Sequence, residues 1–239
     1  MSTGTICFIP CSNSKIAIKA KMECASSWFE EDSFRQMLVT GRQAMKPYIK
    51  AGAPLSEAFN LYSGFFYRVL DKKCISEKIQ TGNLRVFIIS AGYGIVASHE
   101  LIQDYDAMMA GPIASTWKKA NLTKIISDII QKYQPAKAFG FFSGETTWGQ
   151  PSSKYRYFYS NGIRQALSEG WKPVETGCFY RAEGKGTVPI LSALGLCFTK
   201  AVSSDFSNEF IKTAMETGFK SEQYPSILVK YDRFYNGGI

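Results

Sequence analysis

Thr5-Ile6-Cys7-Phe8-Ile9-Pro10-Cys11-Ser12-Asn13-Ser14-Lys15 is the stretch on which the reading of this chain turns. Residues 5–9 are apolar, β-branched or aromatic, the composition of a short buried strand. The run stops abruptly in small polar residues and a lysine, which brings backbone N–H groups, hydroxyls and a cation to the end of a sheet strand. Open α/β sheets bind ligands at that edge.

A second run, Leu84-Arg85-Val86-Phe87-Ile88-Ile89-Ser90, closes in the same way, in Ala91-Gly92-Tyr93-Gly94. Glycines 92 and 94 allow a sharp turn or a close approach of backbone to another group, and Tyr93 offers a ring and a hydroxyl between them. A third apolar run over 136–142 closes in Ser143-Gly144-Glu145. Helical spacing joins these runs. Phe29, Phe34, Met37, Leu38, Met45 and Ile49 predict a helix over 27–50, and Trp117, Leu122, Ile125, Ile126 and Ile129 predict another over 115–132. A helix or turn is expected around 67–78 and a helix over 152–169. A strand is expected over 175–181, then helices over 187–202 and 206–217. Strand, helix, strand, helix, strand predicts an α/β fold, a sheet covered by helices. With no internal repeat or low-complexity linker, 1–239 reads as one domain, with a motif-bearing half of about 1–142 and a basic, aromatic-rich half of about 143–239.

Composition narrows the classes. At 239 residues with 45% apolar content the chain can bury a full core. It shows no membrane-length apolar run and no signal-peptide layout, so a soluble, cytoplasmic protein without membrane partners is expected. Its six cysteines are scattered, with no Cys-x-x-Cys pair and one histidine, His99, so no metal site is expected. Cys7 and Cys197 read as reduced core residues, whereas Cys11 lies in the first candidate loop. Glu100, Asp104 and Asp106 are the acidic cluster that magnesium would use if any metal bound. No cofactor is expected, because neither a phosphate-cradling Gly-Lys loop nor a Gly-x-Gly-x-x-Gly turn follows a strand.

A formal charge of +8 favours polyanionic partners. Lys154, Arg156, Arg164, Lys172, Arg181 and Lys185 fall among Trp148, Tyr155, Tyr157, Phe158, Tyr159 and Trp171. Cations that hold phosphates and rings that stack on bases are the ingredients of single-strand or flipped-base binding. Lys154, Arg156 and Arg164 are the expected backbone contacts; the opposing reading makes the rings core and the cations their solvated flank.

Pro10-Cys11-Ser12-x-x-Lys15, Leu61-Tyr62-Ser63-Gly64, Ile89-Ser90-Ala91-Gly92-Tyr93-Gly94-Ile95 and Tyr105-Asp106 occur in the order in which similar motifs occur in the YaaA-like superfamily. The chain resembles that group over about its first half. The group includes a peroxide-stress protein, a domain of archaeosine synthase, and phage and bacterial domains. The resemblance implies a central mixed sheet with helices on both faces, and an association with nucleic acid, more specifically DNA, and with modified bases.

The resulting expectation is a DNA glycosylase-type hydrolase acting on a modified base. Such a reaction passes through an oxocarbenium-like sugar, which a carboxylate stabilises while a donor helps the base leave. Asp106 is the expected carboxylate. Lys15 has three open roles: phosphate binder, acid for the leaving base, or amine nucleophile. Tyr62 and Tyr93 would stack on the base. Cys11, Ser12, Ser63, Gly64, Ser90, Gly92 and Gly94 would line the substrate site through hydroxyls, a thiol and backbone amides. Two alternatives stand beside this one: a non-catalytic DNA- or RNA-binding protein, and an enzyme on free nucleotides or nucleosides.

Overall fold

The computed structural model describes residues 4–16, 34–144, 147–148 and 152–234. Its first half runs β1 (Thr5–Pro10), α1 (Arg35–Met45), β2 (Ser56–Glu57), α2 (Ala58–Leu61), α3 (Phe65–Arg68), α4 (Lys72–Gln80), β3 (Leu84–Ser90), β4 (Gly94–Ala97) and β5 (Leu101–Ile102). The second half runs α5 (Gly111–Lys119), α6 (Leu122–Tyr133), β6 (Lys137–Phe141), α7 (Tyr155–Ser168), β7 (Glu175–Glu183), α8 (Thr187–Ser203), α9 (Asn208–Glu216), β8 (Phe219–Ser221) and β9 (Tyr224–Arg233).

The fold is α/β, built on a seven-stranded mixed sheet in the order β4-β3-β1-β6-β7-β9-β8. Strands β3, β1, β6 and β7 are parallel, and antiparallel β4 and β9 flank them. β1 reads as an unbroken apolar run because helices cover both of its faces: Cys7, Phe8 and Ile9 are completely buried. Burying side chains the size of Phe8 and Ile9 contributes about 1.5–3 kcal/mol each. One helical layer comprises α1, α5, α6 and α7, and α7 lies on β6 and β7. The other comprises α3, α4, α8 and α9, with α8 running under β6, β7 and β9. The chain leaves β1 for β3 on one side and then returns past β1 to β6 on the other, so the carboxyl ends of β1 and β6 form the topological switch point. No helix among the described residues is long and apolar enough to cross a membrane.

The strand expected over 84–90 matches β3 in full, and the remaining expected strands shift by one or two residues at their ends. The helix expected over 27–50 is described only from Arg35, its earlier part lying outside the described residues, and it tightens into a 3₁₀ turn at Lys46–Tyr48 over Pro47. The helix expected over 115–132 is two helices. Asn121 takes a left-handed φ of 60° between them, and Pro112 sits in the first turn of α5, where its missing N–H costs nothing. The hairpin β8–β9 is an addition to the elements expected from the sequence; Ile227, Val229 and Tyr231 recur inward at the period of a strand, and Leu228 between them is buried as well.

Candidate functional site

The polar segment after β1 is stitched to the segment after α2. Ile16 N–H donates to Leu61 O at 2.8 Å, Ser63 N–H donates to Ser14 O at 3.0 Å, and Lys15 and Tyr62 form an antiparallel bridge. Two of the motifs are therefore one structural unit. Gly64 completes it: a Cβ there would stand 1.9 Å from Ser12 Oγ, so a side chain at 64 would displace that hydroxyl from its place between the two segments. Ser12 Oγ in turn accepts from Ser14 N–H at 3.2 Å.

Lys15 points inward. Its side chain is only 2% exposed, and Nζ donates to Tyr105 O at 2.8 Å and Asn13 O at 3.3 Å, 3.7 Å from Asp104 Oδ1. Burial lowers the Lys15 pKa; the neighbouring Cys11 and the Asp104 carboxylate oppose that shift without cancelling it. Partial burial tends to raise the Asp104 pKa. The hydrogen bond from Lys50 at 2.6 Å, the charges of Lys15 and Lys50, and the Tyr105 N–H outweigh it and hold the carboxyl below its ordinary value.

Beside this ammonium lies a closed ring of hydroxyls. Tyr62 OH donates to Ser90 Oγ at 3.2 Å, Ser90 Oγ donates to Tyr105 OH at 3.0 Å, and the two phenols are 3.0 Å apart. Ser90 Oγ also accepts from Tyr93 N–H at 3.2 Å, which ties the turn after β3 to the ring. Burial first, then the neighbouring Cys11, pushes the Tyr62 and Tyr105 phenols well above their ordinary pKa, so both are neutral hydroxyls. Tyr62 is fully buried between Tyr67 and Tyr105, so in this arrangement it offers no free ring face to a base. Tyr93 is half-buried, with its hydroxyl shared between Gln103 N–H and O. Gly92 and Gly94 admit aromatic rings: a Cβ on Gly92 would lie 2.6 Å from Tyr105, and one on Gly94, at φ +74°, would lie 2.5 Å from Trp117.

Cys11 stands at the switch point, its N–H donating to Ile89 O at 3.0 Å and its Sγ 3.0 Å from Tyr155 OH at the start of α7. Tyr155 OH is buried, and burial with the neighbouring Cys11 pushes its pKa well up. Sequence reasoning grouped Tyr155 with the base-stacking rings and gave Tyr105 no separate role. No local signal could pair Tyr155 with Cys11, 144 residues earlier.

The three carboxylates separate. Glu100 is buried against Arg42 at 2.6 Å, and Arg42 also donates to Tyr93 O and Ile95 O, bracing the glycine turn. Asp104 serves the two lysines. Asp106 is exposed; its N–H donates to Tyr48 O at 2.8 Å, and its carboxylate has no hydrogen bond or ion pair among the described residues. His99 is exposed just past the carboxyl end of antiparallel β4, at the opposite end of the sheet from Cys11, where it lines a cleft with Arg85 and Tyr133. Among the described residues no group of three His, Cys, Asp or Glu side chains is placed to hold a metal ion.

The expected phosphate contacts divide as well. Lys154 is buried at 4% exposure, with Nζ reaching Thr147 O at 3.3 Å. Arg156 pairs with Asp232 at 3.1 Å and lies 4.1 Å over the Tyr180 ring. Arg164 is exposed, 5.1 Å over Phe234. Of the six interleaved aromatics, Phe158, Tyr159 and Trp171 are core residues, while Trp148, Tyr155 and Tyr157 are half-buried.

No protein-family model matches the chain, and no curated protein matches it.

Proposed function

We propose that this protein is a base-processing hydrolase that cleaves an N-glycosidic bond in nucleic acid, with DNA carrying a modified base as its substrate. The observation that carries this reading is convergence. Segments 10–15, 61–64, 90–94 and 104–106 meet at the carboxyl ends of β1 and β3, beside the switch point where open α/β sheets take ligands. The motifs that converge are those that resemble motifs of the YaaA-like superfamily, and that resemblance supports a base-directed activity.

The assigned roles follow from exposure. Water adds to the sugar C1′, the C1′–N bond breaks with its electron pair passing to the base, and the base leaves after taking a proton. Asp106, exposed and with no hydrogen bond or ion pair among the described residues, is the carboxylate assigned to the developing positive charge on the sugar. Lys15 lies beneath the surface with its donors engaged, so of the three roles open to it the electrostatic one fits: a buried cation that supports the loop and favours negative charge above it. Cys11 and Ser12, half-exposed at the rim, are substrate contacts, and Tyr93 is the remaining half-buried ring.

Mass spectrometry of DNA bearing diverse modified bases, after incubation with the wild type and with Asp106→Asn, tests the reading. Asp106-dependent release of a free base is expected. DNA that stays intact with every substrate would refute it. A second reading, an enzyme on free nucleotides or nucleosides, gains support from Lys154 and Arg156, two expected phosphate contacts that the fold uses internally. Turnover of a nucleoside panel, with no action on polymer, would select it.

A further inference from the structure

We infer that a single nucleic-acid strand lies across the outward face of β7 and β9 and leads to the switch point along the first turn of α7. The inference rests on the base-processing reading above and names the form in which the polymer arrives. Along β9, Ile227, Val229 and Tyr231 are buried on the side where α8 and α9 pack. Strand alternation turns Lys230 and Asp232 to the opposite face. The register supports this: Tyr180 pairs with Lys230 and Cys178 with Asp232, so Tyr180 shares the outward face. On that face α7 covers β6 and β7 and forms a wall beside β9.

The groups on this surface are those that an unpaired strand uses. Tyr180 and Phe234 are half-buried rings, each flanked by a guanidinium, Arg156 at 4.1 Å and Arg164 at 5.1 Å. Arg164 is exposed, and Lys230 is half-exposed with no ion pair among the described residues. Two acids share this face: Asp232, which Arg156 neutralises at 3.1 Å, and the exposed Glu183 at its edge, paired in register with Leu228, against the three cations Arg156, Arg164 and Lys230. The surface therefore carries a positive excess interleaved with rings. That combination suits phosphates and bases together, and a sheet face presents it to unstacked bases rather than to a closed duplex. Continuity with the site favours the same occupant. Arg156 and Tyr155 are consecutive in the first turn of α7, one reaching Tyr180 and the other Cys11.

Fluorescence anisotropy with a labelled 12-nucleotide single strand, the matching duplex and labelled poly-glutamate tests the inference without reference to catalysis. The single strand is expected to bind more tightly than the duplex, with affinity falling as salt rises. Arg164→Ala and Lys230→Ala together are expected to weaken it about tenfold and to flatten the salt dependence. Tyr180→Ala is expected to cost about tenfold through lost stacking. Thermal melts of each variant separate lost binding from lost folding, and Lys172→Ala, outside the surface, serves as the control. Duplex binding equal to single-strand binding, poly-glutamate binding equal to either, or affinity unmoved in folded Arg164→Ala/Lys230→Ala protein would overturn the inference. Base release from no substrate, with surface-dependent strand binding intact, would sink the hydrolase reading and leave the surface standing.

Discussion

Lys15 Nζ lies 4.0 Å over the centre of the Tyr105 ring and donates to the backbone oxygen of the same residue at 2.8 Å. One tyrosine thus offers a buried cation both a π face and a carbonyl, while its hydroxyl closes the ring with Tyr62 and Ser90. Ammonium and hydroxyl ring share a single support, so damage to Tyr105 reaches every motif of the site.

Two substitutions separate its functions. Tyr105→Phe keeps the ring over Lys15 but leaves Ser90 and Tyr62 short of a partner, and should cost about 1–3 kcal/mol in urea unfolding. Tyr105→Ala removes the cover as well and should cost about 3–5 kcal/mol. Equal losses in the two variants would mean that the ring and its cation contact contribute nothing.

Glycine positions that the sequence marks as ligand approaches are used for packing, and they differ in what an added methyl meets. At Gly92 it meets the buried Tyr105 ring at 2.6 Å, which cannot swing away, so Gly92→Ala should destabilise by about 1–3 kcal/mol. At Gly64 the obstacle is Ser12 Oγ at 1.9 Å, a hydroxyl. Gly64→Ala should be substantially rescued by Ser12→Gly, and a double-mutant cycle reads that coupling. Additive costs would show that the two segments do not touch as described.

The fold was legible wherever the pattern was local. β1 and β3 announce themselves as apolar runs that stop in polar loops, and the α/β alternation follows. β9 is harder to read because its apolar run, Ile227-Leu228-Val229, is only three residues long and passes directly into Lys230, Asp232 and Arg233, too short a pattern to announce a ten-residue strand. The site was legible as a set of positions but not as a set of pairs. Lys15 meets Tyr105 across 90 residues, and the carboxylate that reaches it is Asp104, two positions before the residue the motif singles out. Sequence cannot distinguish carboxylates two apart, which regular strand alternation would set on one side; the backbone of 103–108 is irregular apart from the bridge at Tyr105, and it sets Asp104 against Lys15 and Lys50 while Asp106 stays exposed. The basic, aromatic half misled for a similar reason: α7 buries one side of a run that is uniformly rich in rings.

The low Asp104 pKa makes stability depend on acid. The folded carboxyl titrates below the usual 3.8, so its contribution is fully present above that value and is lost as pH falls through the folded value. Asp104→Asn removes this dependence and, at neutral pH, leaves Lys15 and Lys50 without their carboxylate, at about 1–3 kcal/mol. The gap between wild type and variant should be constant from neutral pH to about pH 5 and shrink below it. Lys15 acts on the other limb. Its lowered pKa means that the unfolded chain binds more protons between the folded value and 10.5, so its part of the stability rises with pH there. Stability curves in which Asp104→Asn runs parallel to the wild type down to pH 2 would contradict the assignment.

Asp106 and Asp104 should therefore part company in every assay. Asp106 is exposed, its charge reaching Lys50 only at long range and without a hydrogen bond or ion pair among the described residues, and surface changes of that kind usually move stability by less than about 0.5 kcal/mol. Asp106→Asn is expected to unfold like the wild type and to lose base release by about two orders of magnitude or more, the scale of a removed electrostatic stabiliser. Its loss should appear in kcat rather than KM, because the carboxylate acts on charge that develops only as the glycosidic bond breaks. Asp104→Asn should lower stability first and activity only as far as Lys15 and its loop shift. If Asp106→Asn retained full turnover while Asp104→Asn, still folded, abolished it, the catalytic carboxylate would be Asp104, and the exposed position would be a rim residue of the strand-binding path.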